Sequence, residues 1–275
     1  MLLPHLQRTR AGPDASALIR LRGLAMDFDS HRILENLDLD LAPGGMVGLV
    51  GPNGAGKTTL LKLLMGLLIP TAGSIRLQGR CLREFKRREL ARLISLVPQD
   101  THIGFAFSVE DIVAMGRNPH LGRFQVAGSH DLAQVRQAME QTAVCELARR
   151  SVATLSGGER QRVLIARAIA QETPIVLLDE VTANLDLCHQ LEVLTLAREL
   201  AQAGRLVIAA IHDLNLAARY CDRLLLLAER RIQADGPPRQ VLTQTHLRRY
   251  FRVEAAVDER PVGLGLQITA LHSAA

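Results

Sequence analysis

The sequence predicts an α/β fold: a core in which parallel strands alternate with helices, an amino-terminal antiparallel β region, and an inserted α-helical subdomain. From Met46 onward, short apolar runs alternate with helical patterns, which is typical of a parallel sheet. Residues 37–41 alternate leucine with aspartate, as in a strand with one face in solvent. Residues 103–168 contain only helical patterns, broken at Gly116–Pro119 and Gly128–Ser129.

These patterns divide the 275 residues into five parts, and no internal repeat is visible. The predicted parts are a flexible tail (1–17), the antiparallel region with the first part of the core (18–102), the helical subdomain (103–168), the second part of the core (169–240), and a tail with a helix and at most one strand (241–275).

The individual elements follow from apolar runs and their periodicity. Core strands are predicted at Met46–Val50, Leu93–Val97, Ile175–Leu178 and Leu206–Ile211, a helix at Thr59–Leu68, a second antiparallel strand around Ile75 and Leu77, and a helical stripe at Leu191, Leu194, Ala197 and Leu200. The antiparallel region is expected to precede the segment that follows Val50.

That segment, Gly51–Thr58, has the sequence GPNGAGKT. A glycine-rich turn at the start of a helix exposes main-chain N–H groups that hold phosphates. In this pattern Lys57 reaches the β- and γ-phosphates of a nucleotide, and the Thr58 hydroxyl binds Mg²⁺. A turn without a ligand is the alternative, and the flanking strand and helix favour the phosphate site. The predicted site is Gly51, Pro52, Asn53, Gly54, Ala55, Gly56, Lys57, Thr58 and Thr59, in a P-loop NTPase core of the RecA-like type.

Two carboxylates, Asp179 and Glu180, follow the apolar run Ile175–Leu178. Strand ends at the carboxyl edge of an open α/β sheet are where such folds bind ligands. Asp179 suits the Mg²⁺ shell, and Glu180 suits a base that orients an attacking water. Many strands end in acidic residues, so this prediction depends on the phosphate loop.

From about residue 18 to residue 240 the chain resembles the ATP-binding subunits of ABC transporters. The segment Leu155–Arg162, LSGGERQR, resembles the signature sequence of that family. The resemblance implies a head-to-tail homodimer that holds two ATP molecules, in which Ser156, Gly157 and Gly158 contact the nucleotide bound by the other subunit. Ser156 and Glu159 also fit a capping box, so an ordinary capped helix is the alternative.

Four smaller features fall where the family has functional residues. Gln99 resembles the glutamine that senses Mg²⁺ and water and links to the membrane subunit, and His212 resembles the histidine that holds the γ-phosphate. Ala183–Asp186 resembles the loop that crosses the dimer interface, which implicates Asp186. Phe28 stands where an aromatic residue stacks on adenine, although a core role is the alternative. Val181 departs from the proline that the family commonly has, which affects only the following turn.

Composition limits the possible functions. The four cysteines are widely spaced, which argues against a metal site and fits reduced thiols. No apolar run approaches the ~20 residues that cross a bilayer, and the amino-terminal segment does not resemble a signal peptide. Work at a membrane would therefore require docking on another protein.

The net charge is +5, and basic residues cluster at 80–92, 149–150, 230–231 and 248–249. Solvated helix faces are the simpler interpretation, and attraction to an anionic membrane surface is the alternative. Aromatic residues are too few to support nucleic-acid binding by stacking.

Two further segments resemble ABC importers for iron–siderophores, haem and cobalamin: Phe107–Phe124, with Gly-Arg-x-Pro-His, and Leu185–Leu191, reading LDLCHQL. The resemblance implies that Gly116–His120 and Gln99 face an integral-membrane permease dimer. It also implies a periplasmic or surface substrate-binding protein, and a peripheral location on the cytoplasmic side of the plasma (inner) membrane.

The sequence therefore predicts an ATPase subunit of such an importer, with ATP and Mg²⁺ as cofactors and Glu180, His212, Gln99 and Lys57 in catalysis. A soluble ABC-type ATPase of cofactor assembly or DNA repair is one alternative. A non-catalytic nucleotide-gated interaction module is another, and the presence of Glu180, His212 and the signature speaks against it.

Overall fold

A computed structural model of the chain describes residues 17–29, 31–99, 106–183, 185–259 and 265–274. Residues 1–16 of the tail predicted at 1–17 lie outside them. The strands are β1 (Ile19–Phe28), β2 (His31–Leu41), β3 (Met46–Val50), β4 (Ala72–Leu77), β5 (Arg80–Cys81), β6 (Ile94–Val97), β7 (Ile175–Asp179), β8 (Leu206–Ala210), β9 (Arg223–Ala228), β10 (Arg231–Gly236), β11 (Val253–Glu259) and β12 (Leu266–Ser273). The α-helices are α1 (Lys57–Leu64), α2 (Arg87–Ala91), α3 (Val109–Ala114), α4 (Ser129–Gln141), α5 (Gly157–Ala170), α6 (Leu187–Gln202), α7 (Leu214–Tyr220), α8 (Pro238–Val241) and α9 (Gln244–His246).

A six-stranded sheet in the order β10-β9-β3-β8-β7-β6 forms the core. The five strands from β9 to β6 are parallel, and β10 adds an antiparallel edge. All five residues of β3, β7 and β8 are buried, which matches their continuous apolar sequences. The predicted parallel core is confirmed.

The antiparallel sheet has the order β2-β1-β4-β5. Leu21 pairs with Leu39 of β2 and with Ile75 of β4, and all three side chains are buried. The predicted strands are therefore confirmed, but the sheet does not wholly precede the glycine-rich segment. Strands β4 and β5 follow that segment in the chain, and β4 pairs with β1 across the sheet. Strands that pair in an antiparallel sheet need not be consecutive in the sequence.

The core sheet is covered on both faces. Val47 and Leu49 of β3 face a hydrophobic cluster shared with α1 and the antiparallel sheet. Met46 and Val50 face a second cluster, shared with α5 and α6. The alternation of β3 between the two clusters follows from the two-residue period of a strand, and it fixes the end of β3 between both layers.

Helix α1 differs from its predicted bounds of Thr59–Leu68. It begins at Lys57, inside the glycine-rich segment, and ends at Leu64. The early end has a backbone cause: Gly66 adopts a positive φ of 67°, which a helix cannot contain.

The helical subdomain contains α3, α4 and α5, with no β-strand among the described residues from 106 to 168. The predicted breaks are confirmed, since α3 ends at Ala114 and α4 begins after Gly128. Gly116 is required by packing, because a Cβ there would lie 2.3 Å from the carbonyl oxygen of Arg167 in α5.

Arg117 was expected on a permease-facing surface, and the structure contradicts this. The side chain is buried, donates from Nε to Asp131 at 2.9 Å, and donates from Nη1 to Glu172 at 2.6 Å and to the Ala170 carbonyl at 2.7 Å. A buried guanidinium needs this many acceptors, because desolvation penalises an unpaired charge. Arg117 therefore joins α4 to the end of α5, and the surface of the segment starts at Asn118.

The carboxyl-terminal region has more regular structure than predicted. Helices α8 and α9 and a π-helix at Leu247–Phe251 lead into a hairpin of β11 and β12. The Asn215 side chain at the start of α7 holds this hairpin, accepting from the Ile268 N–H at 2.7 Å and donating to the Ile268 carbonyl at 3.2 Å. No helix of the described residues is long and apolar enough to span a membrane.

Candidate nucleotide site

The site is built where β3 ends and α1 begins. Gly51 follows β3 with a φ of 155°, and a Cβ at this position would lie 2.0 Å from the Leu227 carbonyl oxygen of β9. No other residue fits so close to the neighbouring strand. The turn from Gly51 to Gly56 therefore lies over the carboxyl edge of the sheet, with the amino end of α1 directed at it.

Lys57 is a buried cation in this turn. Its side chain is 4% exposed, and Nζ donates to the carbonyl oxygens of Gly51 at 3.0 Å and Pro52 at 3.2 Å. Burial lowers the pKa of Lys57, while the carboxylates of Glu180 and Asp179 oppose that shift. Glu180 Oε1 lies 3.9 Å away, outside hydrogen-bond range. An anion in the turn would give this charge a stronger partner than the two carbonyls do.

Thr58 and Asp179 form the second part of the site. The Thr58 Oγ1 hydroxyl donates to Asp179 Oδ1 at 3.0 Å, although the two residues are 121 positions apart. Burial raises the pKa of Asp179. Within the described ranges, no group of three His, Cys, Asp or Glu residues could hold a metal ion. One carboxylate and one hydroxyl suit Mg²⁺, which keeps waters and takes further ligands from a bound phosphate.

Glu180 and His212 meet at the same edge. Glu180 Oε1 lies 2.6 Å from His212 Nε2, at the ends of the neighbouring strands β7 and β8. Glu180 adopts a positive φ of 51°, and the Ala183 N–H donates to its carbonyl oxygen at 2.9 Å, so a tight turn forms although Val181 replaces proline. A cavity of about 500 Å³ opens here, lined by Asn53, Gly54, Gln99, Glu180, Ala183 and His212.

The signature residues Ser156, Gly157 and Gly158 are not among the described residues that line this cavity. Ser156 instead caps α5: its Oγ accepts from the Glu159 N–H at 3.3 Å, while Glu159 accepts from the Ser156 N–H at 2.8 Å. The hydrogen bonds that the Glu159 carboxylate accepts from Ser156, the main-chain N–H first, lower the pKa of that carboxyl. The capping prediction is confirmed.

Phe28 and Asp186 also lie outside the cavity lining. Phe28 is 43% exposed at the end of β1, so its ring is free to meet a planar group. Asp186 caps α6, with its Oδ1 accepting from the His189 N–H at 2.9 Å. Neither Arg117 nor His189 was singled out by sequence reasoning as an element that organises the site region. The segments GRNPH and LDLCHQL contained them, but Asp131 and Glu172, which pair with Arg117, and Gly158, against which the His189 ring packs, are distant in sequence.

Comparison with known proteins agrees with this geometry. Residues 34–183 match the family described as ABC transporter. The cobalamin import ATP-binding protein BtuD of Halobacterium salinarum is 46% identical over 250 residues, which are 90% of this chain and 62% of that protein. The hemin import ATP-binding protein HmuV of Nocardia farcinica is 43% identical over 249 residues, 89% of this chain and 86% of the relative. The chain thus spans somewhat less than two thirds of the Halobacterium protein.

Among solved structures, an inward-facing conformation of a metal-chelate type ABC transporter superposes with a TM-score of 0.81 at 33% identity, covering 93% of this chain and 98% of the other. The structure of cbiO1 from Clostridium perfringens, part of the ABC transporter complex cbiONQ, gives a TM-score of 0.74 at 26% identity and covers 85% and 94%. With the family match over more than half of its length and the P-loop fold in place, the chain belongs to the ABC transporter family.

Proposed function

We propose that this chain is the ATP-hydrolysing subunit of an ABC importer that energises uptake of a metal chelate, such as an iron–siderophore, haem or cobalamin, through a partner permease. The observation that carries the proposal is the single cavity edge at which Glu180, His212 and Gln99 meet, beside the buried Lys57 and the Thr58–Asp179 pair. The substrate class rests on the relatives, which are named as cobalamin and hemin import proteins.

The residues of the turn fit a nucleotide. The main-chain N–H groups from Asn53 to Thr59 surround the phosphates, and Lys57 leaves its two carbonyl acceptors to neutralise them. Thr58 and Asp179 would hold Mg²⁺, and Gln99, which follows β6, would be a further ligand. ATP supplies the phosphoanhydride bond, and Mg²⁺ supplies neutralisation of charge on its oxygens. Phe28 stacks on the base.

Glu180 is the base of the reaction. Its carboxylate accepts a hydrogen bond from His212 at 2.6 Å, which fixes its orientation at the mouth of the cavity. From this position it orients a water and accepts its proton as the water attacks. His212, whose side chain is 42% exposed, then also faces the phosphate that is released.

The functional unit is a head-to-tail homodimer. Ser156, Gly157 and Gly158 lie outside the cavity of their own chain and serve the nucleotide of the partner subunit, with Asp186 at the interface. The helix start at Ser156 favours an anion there. The dimer works on the cytoplasmic side of the membrane and docks on a permease dimer. A substrate-binding protein delivers the chelate to that permease.

The test of the chemistry is Glu180→Gln. The amide cannot accept the proton, so turnover should fall by ~10²–10⁴-fold while nucleotide binding is kept. The same variant should accumulate an ATP-bound dimer, which size-exclusion chromatography detects. Hydrolysis at the wild-type rate would remove Glu180 from this role.

Ser156→Arg tests the dimer. It should leave nucleotide binding by the isolated subunit at low concentration unchanged and abolish hydrolysis, since only the contact across the interface is blocked. Loss of binding at low concentration would contradict the arrangement. Stable co-purification with a multi-spanning membrane protein separates an importer subunit from a soluble ABC-type ATPase.

A further inference from the structure

Apart from Asp186, the segment Leu185–Leu191, LDLCHQL, has no assigned role in the site described above. It spans the end of the loop after Glu180 and the first turn of α6. In the fold this turn lies against the start of α5, where the signature sequence begins. The segment therefore contacts both a loop of one nucleotide site and the residues proposed to serve the other.

The contact with the signature is made by the ring of His189. A Cβ on Gly158 would lie 2.7 Å from His189 Cδ2 and 3.0 Å from His189 Nε2. Real Cβ contacts are not that short, so the ring occupies the space that any other residue at position 158 would need. One turn further along, Arg162 of α5 and Glu192 of α6 form an ion pair at 3.3 Å. The two helix starts are thus held side by side.

The orientation of the ring is fixed from its other side. His189 Nδ1 lies 2.6 Å from Asp186 Oδ1, and the His189 N–H donates to the same oxygen at 2.9 Å. With Nδ1 protonated, the ring N–H donates to the carboxylate, and Nε2 is directed to the signature turn. These bonds lower the pKa of Asp186, so the carboxylate acceptor is stable.

The next residue fixes the loop after the catalytic base. Gln190 Nε2 donates to the carbonyl oxygens of Thr182 at 3.2 Å and Leu185 at 3.0 Å. Consecutive residues of one helical turn therefore contact the signature turn and the loop that follows Glu180. A displacement of the signature turn would therefore be transmitted through the first turn of α6 to the loop after Glu180, and a displacement of that loop would be transmitted to the signature turn.

We propose that His189 is a positioning residue that sets the signature turn relative to the loop after Glu180, and so couples the two ATP sites of the dimer. The inference rests on the function proposed above, because Gly158 and Glu180 of one chain then belong to different sites. His189 touches no nucleotide in this proposal. It acts through the main chain of Gly157 and Gly158, whose N–H groups meet the nucleotide of the partner subunit.

The first test compares His189→Ala and His189→Asn with Cys188→Ala. Cys188 is the neighbouring residue, exposed, and its Sγ donates to Glu192 of its own helix at 3.7 Å, so its variant is the matched control. Alanine keeps the main-chain N–H that Asp186 caps, and asparagine also keeps a donor toward Asp186 while removing the ring edge from Gly158. In both His189 variants kcat should fall by about 10-fold. ATP-dependent dimerisation, measured with Glu180→Gln added to each variant, should fall by about 10-fold as well, while the nucleotide affinity of the isolated subunit stays unchanged.

The second test uses the packing itself. Gly158→Ala should reduce kcat by about 10-fold in the wild-type background, because its methyl group meets the ring. With His189→Ala the methyl group enters the vacated space, so the added loss should shrink to about twofold or less.

Three results would overturn the proposal: kcat and dimerisation of both His189 variants equal to Cys188→Ala, an equal loss from Gly158→Ala in both backgrounds, or loss of nucleotide binding by the isolated His189 variants, which would assign the residue to folding. The proposed function itself would fail if the wild-type chain did not hydrolyse ATP and the Glu180→Gln variant did not form an ATP-bound dimer. Both results are obtained before any His189 variant is measured.

Discussion

Replacing Arg117 with methionine should lower the free energy of unfolding by about 3 kcal/mol. The side chain is 3% exposed and bridges Asp131 and Glu172, so its charge has been removed from water together with parts of both carboxylates. Methionine keeps a long apolar side chain and removes the charge. The substitution therefore isolates the ion pairs from the packing of the helical subdomain.

The magnitude depends on how well each carboxylate is compensated without Arg117. Removing one partner of a buried ion pair costs about 3–5 kcal/mol. The Asp131 carboxylate still accepts from the Gly128 N–H at 3.0 Å, and the side chain of Glu172 is 33% exposed. Both groups keep some stabilisation from hydrogen bonding or water, which places the expected loss at the lower end of that range.

Urea unfolding followed by circular dichroism measures the change, with Arg136→Met as the control. Arg136 pairs with Glu140 on the surface of α4, where the side chains are 82% and 55% exposed. A pair of that kind contributes about 0.5 kcal/mol. If Arg117→Met lost no more than about 1 kcal/mol, as an exposed pair would, the assignment of Arg117 to the interior would be refuted.

Three further outcomes are expected. Burial raises the pKa of Asp179 in the folded chain, so the native state binds the proton of this carboxyl more tightly, and the contribution of Asp179 to stability falls as the pH rises from 3.8 through the raised pKa. In thermal melts of the nucleotide-free chain, Asp179→Asn should therefore stabilise the fold more at pH 7 than at pH 3.5. An equal effect at the two pH values would contradict this. Asn215→Ala removes two hydrogen bonds to Ile268, worth about 1 kcal/mol each, and should speed proteolysis of the β11–β12 hairpin without changing nucleotide binding. Burial raises the pKa of Cys221 to about 12, so this thiol should resist thiol reagents at pH 8 until the chain unfolds, whereas exposed Cys145 should react at once.

The expectations that held were those whose cause is local in sequence. The glycine-rich turn requires Gly51 at a close approach to the next strand, and that requirement is visible in eight consecutive residues. The capping box at Ser156 likewise depends on a residue three positions away. The assembly of Gln99, Glu180 and His212 at one edge could be inferred because each follows a strand predicted to be parallel.

Arg117 shows why other expectations failed. The resemblance to importers implied that the segment Gly116–His120 faces the permease, and the helix breakers Gly116 and Pro119 favour a surface position. Its burial depends on Asp131 and Glu172, which lie 14 and 55 positions away and are brought to it only when α4 and α5 pack together. The tail after residue 241 was underestimated for a similar reason, since its hairpin is held by Asn215 of a distant helix.

The sequence by itself determined the local elements of the candidate site: the glycine-rich turn after β3, the two carboxylates at the end of β7, and the capped start of α5 are all set by neighbouring residues and by the period of strands and helices. Only the tertiary structure decided which charged groups are buried and which elements touch. It placed Arg117 in the interior and the ring of His189 against Gly158. Burial and contact depend on the packing of segments that are far apart in the chain, and no local pattern specifies that packing.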